Sequence, residues 1–301
     1  MSQPATQSDT LTWRKRARYF NSGNAFALQH PPVPSVQFTA ERDKAFDPAT
    51  PTGLITMDLS ETLETPFPAT TPLTLSHYLV IKAGESVAPD LLASAQTLCI
   101  LKGSGCTRID DEQTTWAAGD VLLLPGTGII EHQASTDTVG WLVTDEPVLA
   151  FMGLDPTGSE RATVAPVHYL ADDLSRELET VYQHPDAKDF AGFAVVLSHQ
   201  KLEHTRNIHP TLTLALNSLP PASAQRPHRH NSMALTLCLD GQNCFSMIDG
   251  KRKDWEQYAV MVTPPGAVHS HHNDGDARMR CLIVQDGGLH YHARTMGFEF
   301  S

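Results

Sequence analysis

Two short stretches hold the side chains best suited to chemistry: Pro227-His228-Arg229-His230-Asn231 and Pro264-Pro265-Gly266-Ala267-Val268-His269-Ser270-His271-His272-Asn273. On a β-strand, His228 and His230 stand at i and i+2, so both imidazoles leave the same face. His269 follows His230 by 39 residues (269 − 230), after an apolar run, Ala259-Val260-Met261-Val262, and a Pro/Gly turn that would return it beside that face. Three neutral nitrogens then converge on one point. Imidazole is a borderline ligand, so such a cluster suits Fe, Zn, Cu, Ni or Mn.

The elements that must position these residues read as β. Leu98-Cys99-Ile100-Leu101, Val121-Leu122-Leu123-Leu124, Leu235-Thr236-Leu237-Cys238-Leu239 and Val260-Met261-Val262 are short, rich in β-formers and closed by Gly, Asp or Pro. The chain also repeats itself. At an offset of 138 (228 − 90), Asp90 falls on His228, Leu92 on His230, Gly103 on Gly241 and Cys106 on Cys244. One inserted residue makes the offset 139, which pairs Trp116 with Trp255, Val121 with Val260, Pro125 with Pro264, Ile130 with His269 and His132 with His271. Matches kept in order mark a duplicated unit. The first copy has Asp, Leu and Ile where the second has three histidines, so its metal site is degenerate.

These signals predict an all-β protein of two barrels. The expected divisions are an irregular, proline-rich N-terminal arm over 1–69, a first barrel over 70–155, a linker over 156–204 and a second barrel over 205–301. Within the linker, Leu174 and Leu178 lie four apart in Asp172-Asp173-Leu174-Ser175-Arg176-Glu177-Leu178-Glu179, which predicts a helix with Asp and Ser available to cap it.

Composition narrows the partners. A net charge of −12 over 301 residues argues against nucleic acid and anionic membrane surfaces, which need clustered Lys and Arg. The basic cluster Trp13-Arg14-Lys15-Arg16-Ala17-Arg18 reads as a solvated arm or docking segment. No apolar run approaches the roughly 20 residues of a membrane span. The five cysteines include no CxxC pair and read as reduced core residues, which with the missing leader gives a cytoplasmic expectation.

The order strand, His-x-His, Gly turn, strand, Pro-x-Gly-x-x-His-x-x-x-Asn resembles the cupin family of jelly-roll β-barrels. The second cupin motif runs complete from Pro264 through Gly266 and His269 to Asn273, except that Tyr258 stands where it usually begins with Gly. The first motif keeps both histidines and Gly241 but lacks its Glu ligand, with Met233, Ala234 and Leu235 in that region. His-Arg-His without the carboxylate, followed by His269-x-His271, is similar to the gentisate 1,2-dioxygenase branch of two-barrel cupins. Asp145-Glu146-Pro147-Val148-Leu149-Ala150-Phe151-Met152-Gly153-Leu154 resembles the end of a barrel in those enzymes. The likeness covers roughly residues 70–155 and 205–300.

The resemblance implies Fe(II) held by His228, His230 and His269, with an extradiol-type ring-cleaving reaction between O2 and an ortho-hydroxylated aromatic acid such as gentisate, salicylate or a hydroxynaphthoate. A substrate carboxylate calls for an arginine. Arg229 alternates with the two histidines and faces away, which leaves Arg226 and Arg280 as the candidates, with Gln225 and Gln285 as polar partners. His271, two residues beyond His269, is the candidate acid or base. Zn, Ni, Mn or Cu remain alternatives to iron. A metal-dependent cupin isomerase or lyase, or a non-catalytic metal- or small-acid-binding protein, are the alternative functions. The branch also implies a homodimer or homotetramer.

Overall fold

The computed structural model describes residues 7–156, 162–187, 190 and 192–301. Part of the linker expected over 156–204 therefore lies outside the described residues. Residues up to Pro31 form a separate unit, in which α1 (Gln7–Arg16) ends on the basic turn Arg14, Lys15, Arg16. Everything from Pro32 onward is one compact unit.

That unit is mostly strand. The first barrel is built from β1 (Gly53–Thr56), β2 (Leu75–Ile81), β3 (Ser86–Val87), β4 (Ala95–Lys102), β5 (Ser104–Ile109), β6 (Glu112–Ala117), β7 (Val121–Pro125), β8 (Ile130–Ala134), β9 (Thr138–Thr144) and β10 (Val167–Tyr169). The second follows with β11 (Phe193–Leu197), β12 (Thr213–Leu219), β13 (Ser223–Ala224), β14 (His228–His230), β15 (Ala234–Asp240) and β16 (Cys244–Ile248). It is completed by β17 (Lys251–Asp254), β18 (Val260–Thr263), β19 (His269–Asn273), β20 (Met279–Gln285) and β21 (Phe298–Phe300).

Each barrel is a large sheet facing a smaller one. The large sheets run β1-β2-β9-β4-β7-β10 and β11-β12-β20-β15-β18; the smaller ones run β3-β8-β5-β6 and β17-β16-β19-β14-β21, with β13 also paired to β19. The inner order β2-β9-β4-β7 recurs as β12-β20-β15-β18, so the sequence duplication is a duplication of topology. Register corrects one detail of it. Thr107 pairs with His132 and Ser246 with His271, so Thr107 matches Ser246 at an offset of 139, and the inserted residue falls before Cys106. Cys106 therefore stands at the place of Phe245, not Cys244.

The large sheets pack back to back. β2, β4, β7 and β9 are buried on almost every residue, because alternate side chains serve different cores. Tyr78, Val80, Leu123 and Trp141 join Leu216, Leu237, Val262 and Leu282 in a core shared by the two barrels. Leu79, Ile81, Leu98, Leu122, Leu124 and Leu142 turn the other way and fill the interior of the first barrel. The inward residues of the second barrel, including Thr213, Ala215 and Asn217, are smaller or polar and border a cavity.

The arm and linker tie this arrangement together. Val36 to Phe38 cover the free edge of β18, with backbone bonds Phe38 N–H to Val260 O (2.9 Å) and Val262 N–H to Val36 O (2.9 Å). β1, on the arm side of the expected boundary at 69, pairs with β2. The linker helix is α2 (Ala171–Tyr182), and it buries Leu174 and Leu178 in the shared core. Its cap differs from expectation. The residue before it is Leu170, with no side-chain cap, and Asp120 from the first barrel accepts the Ala171 N–H at 2.8 Å. The Asp and Ser residues lie inside the helix, so another element supplies the cap.

Tyr258 explains the missing glycine of the second motif. Its φ of +60° lies in the left-handed region, where a side chain costs on the order of 1 kcal/mol. The corresponding residue of the first barrel is Gly119, with φ of +96°. Tyr258 is held by stacking on Phe46 (5.1 Å) and by Tyr78, whose hydroxyl crosses from the first barrel to donate to the Tyr258 carbonyl at 2.6 Å. Tyr78→Phe should lower unfolding free energy by about 1–2 kcal/mol, read as a shift in urea midpoint, because the carbonyl loses its cross-barrel donor.

Candidate metal centre

β14 and β19 are adjacent, with His228 opposite His269. The turn between β18 and β19 depends on Gly266, whose φ is +76° and whose N–H donates to the His230 carbonyl at 2.7 Å. That bond ties the returning chain to the strand it must meet. The result is a compact triad: one ring nitrogen from each of His228, His230 and His269 lies within 4.8 Å of the others. His230 and His269 are buried and His228 is half-buried.

The hydrogen bonds fix which nitrogens face inward. His228 Nδ1 lies 3.0 Å from the Arg226 carbonyl, His230 Nδ1 2.8 Å from the Ser232 carbonyl and His269 Nδ1 2.9 Å from the Ala267 carbonyl. A carbonyl only accepts, so each Nδ1 carries the hydrogen and each Nε2 presents a lone pair. Backbone carbonyls that orient imidazoles in this way are the usual support of metal-bound histidine. Burial lowers the pKa of His230 and brings His269 down to about 4, which keeps both neutral and able to ligate. The residues therefore fit a divalent transition ion held by three neutral nitrogens.

His271 is prepared differently. Trp255 Nε1–H donates to Ser246 Oγ at 2.9 Å, and Ser246 Oγ lies 2.8 Å from His271 Nδ1. Ser246 is fully buried, and its own hydrogen finds an acceptor only at that Nδ1. His271 thus carries its hydrogen on Nε2, the opposite tautomer to its three neighbours. Burial pushes its pKa down to about 3, so it stays neutral and borders the cavity as a donor.

The cavity measures about 570 Å³. Its lining includes His228, His269, His271, Gln225 and Gln285, the apolar residues Val196, Leu214 and Ile283, and Ala234 in the region of the missing Glu. No Asp or Glu is among the described residues that line it. Gln285 reaches the ligand face, with its amide nitrogen 3.3 Å from His230 Nε2. Asn273, which closes the second motif, is structural: its amide donates to the carbonyls of Leu219, Pro220 and Ala277.

Neither candidate arginine borders this cavity. Arg226 is exposed and lies over the Phe300 ring at 4.6 Å. Arg280 has the wrong parity, since Gln285 and Ile283 face inward on β20 and Arg280 must leave the opposite face. It pairs with Asp240 (2.5 Å) beside a separate gap bordered by Leu174 and Tyr258. Arg206, which sequence reasoning missed, does border the cavity, together with His204 and Tyr291. Its loop follows no periodic pattern that would have marked it.

The first barrel shows what has been lost. Leu92, at the place of His230, is 56% exposed on a segment without strand pairing, and Ile130, at the place of His269, is packed among leucines. The hydroxyl relay survives: Trp116 Nε1–H donates to Thr107 Oγ1 (2.9 Å), which lies 2.8 Å from His132 Nδ1. His132 Nε2 is buried with no partner among the described residues.

Residues 215–285 match the model of the cupin domain family. Among curated relatives, gentisate 1,2 dioxygenase 1 of Aquipseudomonas alcaligenes is 31% identical over 101 residues, 34% of this chain and 28% of the relative. The 1-hydroxy-2-naphthoate 1,2-dioxygenase of Nocardioides sp. is 31% identical over 80 residues, 26% of this chain and 21% of the relative. The chain thus spans less than a third of the length of these relatives. The salicylate 1,2-dioxygenase structure from Pseudaminobacter salicylatoxidans superimposes with a TM-score of 0.77, covering 100% of this chain and 99% of that one at 12% identity. A cupin 2 conserved barrel domain protein from Leptotrichia buccalis gives 0.54 at 13% identity, covering 84% and 96%. Residues 215–285 are thus matched as a cupin domain, and the doubled barrel is the fold of the salicylate 1,2-dioxygenase structure. Over 34% of its length the chain is similar in sequence to a gentisate 1,2-dioxygenase.

Two tests follow from this geometry. The Phe298 ring stacks on His228 (5.2 Å, 27°), and β21 pairs along β14. Phe298→Ala should therefore weaken metal binding about 3- to 10-fold, read by competition against a chromophoric chelator, since groups that orient a ligand commonly contribute a tenfold or more. Burial lowers the His132 pKa to about 4 against an ordinary value of 6.5, so the unfolded chain takes up the proton first. Stability then falls as pH drops from 6.5 towards 4, and the loss is complete below that. His132→Asn should reduce this slope by up to about 1.4 kcal/mol per pH unit in urea titrations, one proton's share.

Proposed function

We propose that the protein is an Fe(II)-dependent ring-cleaving dioxygenase that uses O2 on an ortho-hydroxylated aromatic carboxylic acid of the gentisate, salicylate or hydroxynaphthoate type. The observation that carries this reading is a triad whose three Nε2 lone pairs converge beside a cavity with no Asp or Glu among the described residues that line it. Three neutral ligands leave the full charge of a divalent ion inside the barrel, which favours an anionic, chelating substrate over a neutral one. The activities of these similar proteins support the substrate class, because gentisate, 1-hydroxy-2-naphthoate and salicylate each carry a hydroxyl and a carboxylate on an aromatic ring.

When bound, the ion would supply open positions where the substrate's oxygens and O2 meet and exchange electron density. The chain's own residues do the rest. His228, His230 and His269 hold the ion. Val196 and Ile283 give the ring an apolar wall that displaces water. Ala234 leaves space where the usual carboxylate ligand would compete with substrate. His271 offers Nε2–H as a hydrogen bond to oxygen at neutral pH, and the Trp255–Ser246 relay holds that hydrogen in place. The Gln285 amide, beside His230 Nε2, limits how the substrate can sit on that side.

Protein purified without oxygen and analysed for metal, then screened in an oxygen electrode against gentisate, salicylate and 1-hydroxy-2-naphthoate, tests this reading. Oxygen uptake should require Fe(II) and fall at least about 100-fold in His269→Ala. A full complement of iron with no uptake on any aromatic hydroxyacid would overturn it in favour of a binding protein. Uptake or turnover with Zn, Mn or Ni in place of iron would overturn the iron assignment.

A further inference from the structure

The two barrels differ most tellingly along one row of the large sheet. In the second barrel, register aligns Thr213, Gln285, Ala234 and Thr263 across β12, β20, β15 and β18, and all four border the cavity. The same row of the first barrel reads Leu75, Thr144, Gln96 and Leu124. Thr263 thus replaces a leucine, yet it is 1% exposed and its Oγ1 has no hydrogen-bond partner among the described residues. Gln225, at the place of Val87, also borders the cavity with an unpartnered Oε1. A buried hydroxyl without a partner is costly, and a ligand that meets it recovers that cost on binding.

Arg206 supplies the charge. It is the one Arg or Lys among the described residues bordering the cavity. Its backbone sits at φ +56°, with its N–H donating to the carbonyls of Leu202 (2.8 Å) and Glu203 (3.2 Å), so the loop presents it from a fixed bend. Arg229, Arg252, Arg278 and Arg280 of the same barrel are each matched with a carboxylate. Arg206 has no ion pair or side-chain hydrogen bond among the described residues. An exposed, unmatched guanidinium at a cavity with no Asp or Glu among its described lining residues is a receptor for a carboxylate, because its planar fork meets both oxygens at once.

Resting on the dioxygenase reading above, we propose that Arg206 selects carboxylate-bearing aromatics by pairing with the substrate carboxylate, while the Thr263 hydroxyl supplies a buried hydrogen bond to the same ligand. The assignment replaces Arg226 and Arg280, which the fold directs elsewhere.

Calorimetric titration of the full chain, loaded with Fe(II) under argon, with salicylate and with its uncharged counterpart salicylamide tests this without turnover. The wild type should prefer salicylate. Arg206→Gln should weaken salicylate about 10-fold or more and leave salicylamide within about 2-fold, with iron content and circular dichroism unchanged; Arg206→Lys should recover part of the loss. Thr263→Val should weaken both ligands about 5-fold. Retention of full salicylate preference in Arg206→Gln overturns the Arg206 assignment alone, and unchanged binding in Thr263→Val removes the hydroxyl from it. A wild type that binds neither ligand overturns the dioxygenase reading and this assignment together.

Discussion

The back-to-back packing of the two large sheets is the constraint on which the rest of the molecule depends. It requires strands that are apolar on one face for the partner barrel and free to vary on the other. In the first barrel the free face is filled with leucine and isoleucine. The second shares the same outer core, so its inner face can carry Thr, Ala and Asn without losing the sheet. A hollow barrel is tolerated because a solid one lies against it. Tyr78 shows the dependence in one bond, reaching out of the filled barrel to hold a left-handed residue in the hollow one.

Inside the hollow barrel, four histidines perform two jobs, and the partner of each Nδ1 decides which. A carbonyl at that nitrogen turns the lone pair of His228, His230 and His269 inward; a hydroxyl turns the hydrogen of His271 inward. Residue type alone would make the four interchangeable. His269 and His271 even share a strand and a face, separated by one residue. Burial then lowers the basicity of both, so the distinction between lone pair and hydrogen persists at neutral pH instead of being erased by protonation.

Much of this was legible before any coordinates. The i, i+2 histidines, the Pro/Gly turn before His269 and the repeat offset each translate directly into strand geometry, and the triad assembles as those spacings imply. Arg280 lies on a strand that follows the metal motif, but alternation along β20 relative to Gln285, itself readable in the sequence, sends its side chain to the opposite face. Arg206 is a different case. Its loop reaches the cavity by tertiary packing, and neither periodicity nor spacing records that. The cap on α2 was hidden for the same reason, since Asp120 comes from 51 residues earlier. The inserted residue was misplaced because Cys106 and Cys244 match by identity, whereas backbone pairing aligns Thr107 with Ser246.

The relay of Trp, hydroxyl and His stands in both barrels, and in the second its histidine lines the large cavity. In the first barrel it braces the junction of β5, β6 and β8, where His132 is fully buried and Thr107 borders only a smaller gap of about 180 Å³. The arrangement is therefore sufficient as architecture. A proton-holding histidine needed no new invention in the second barrel; hollowing the interior exposed one that the duplicated scaffold already carried. The economy extends to packing, because neither the shared core nor the core of the filled barrel draws a side chain from the triad, so the ligands are set apart from the residues that hold the sheets together.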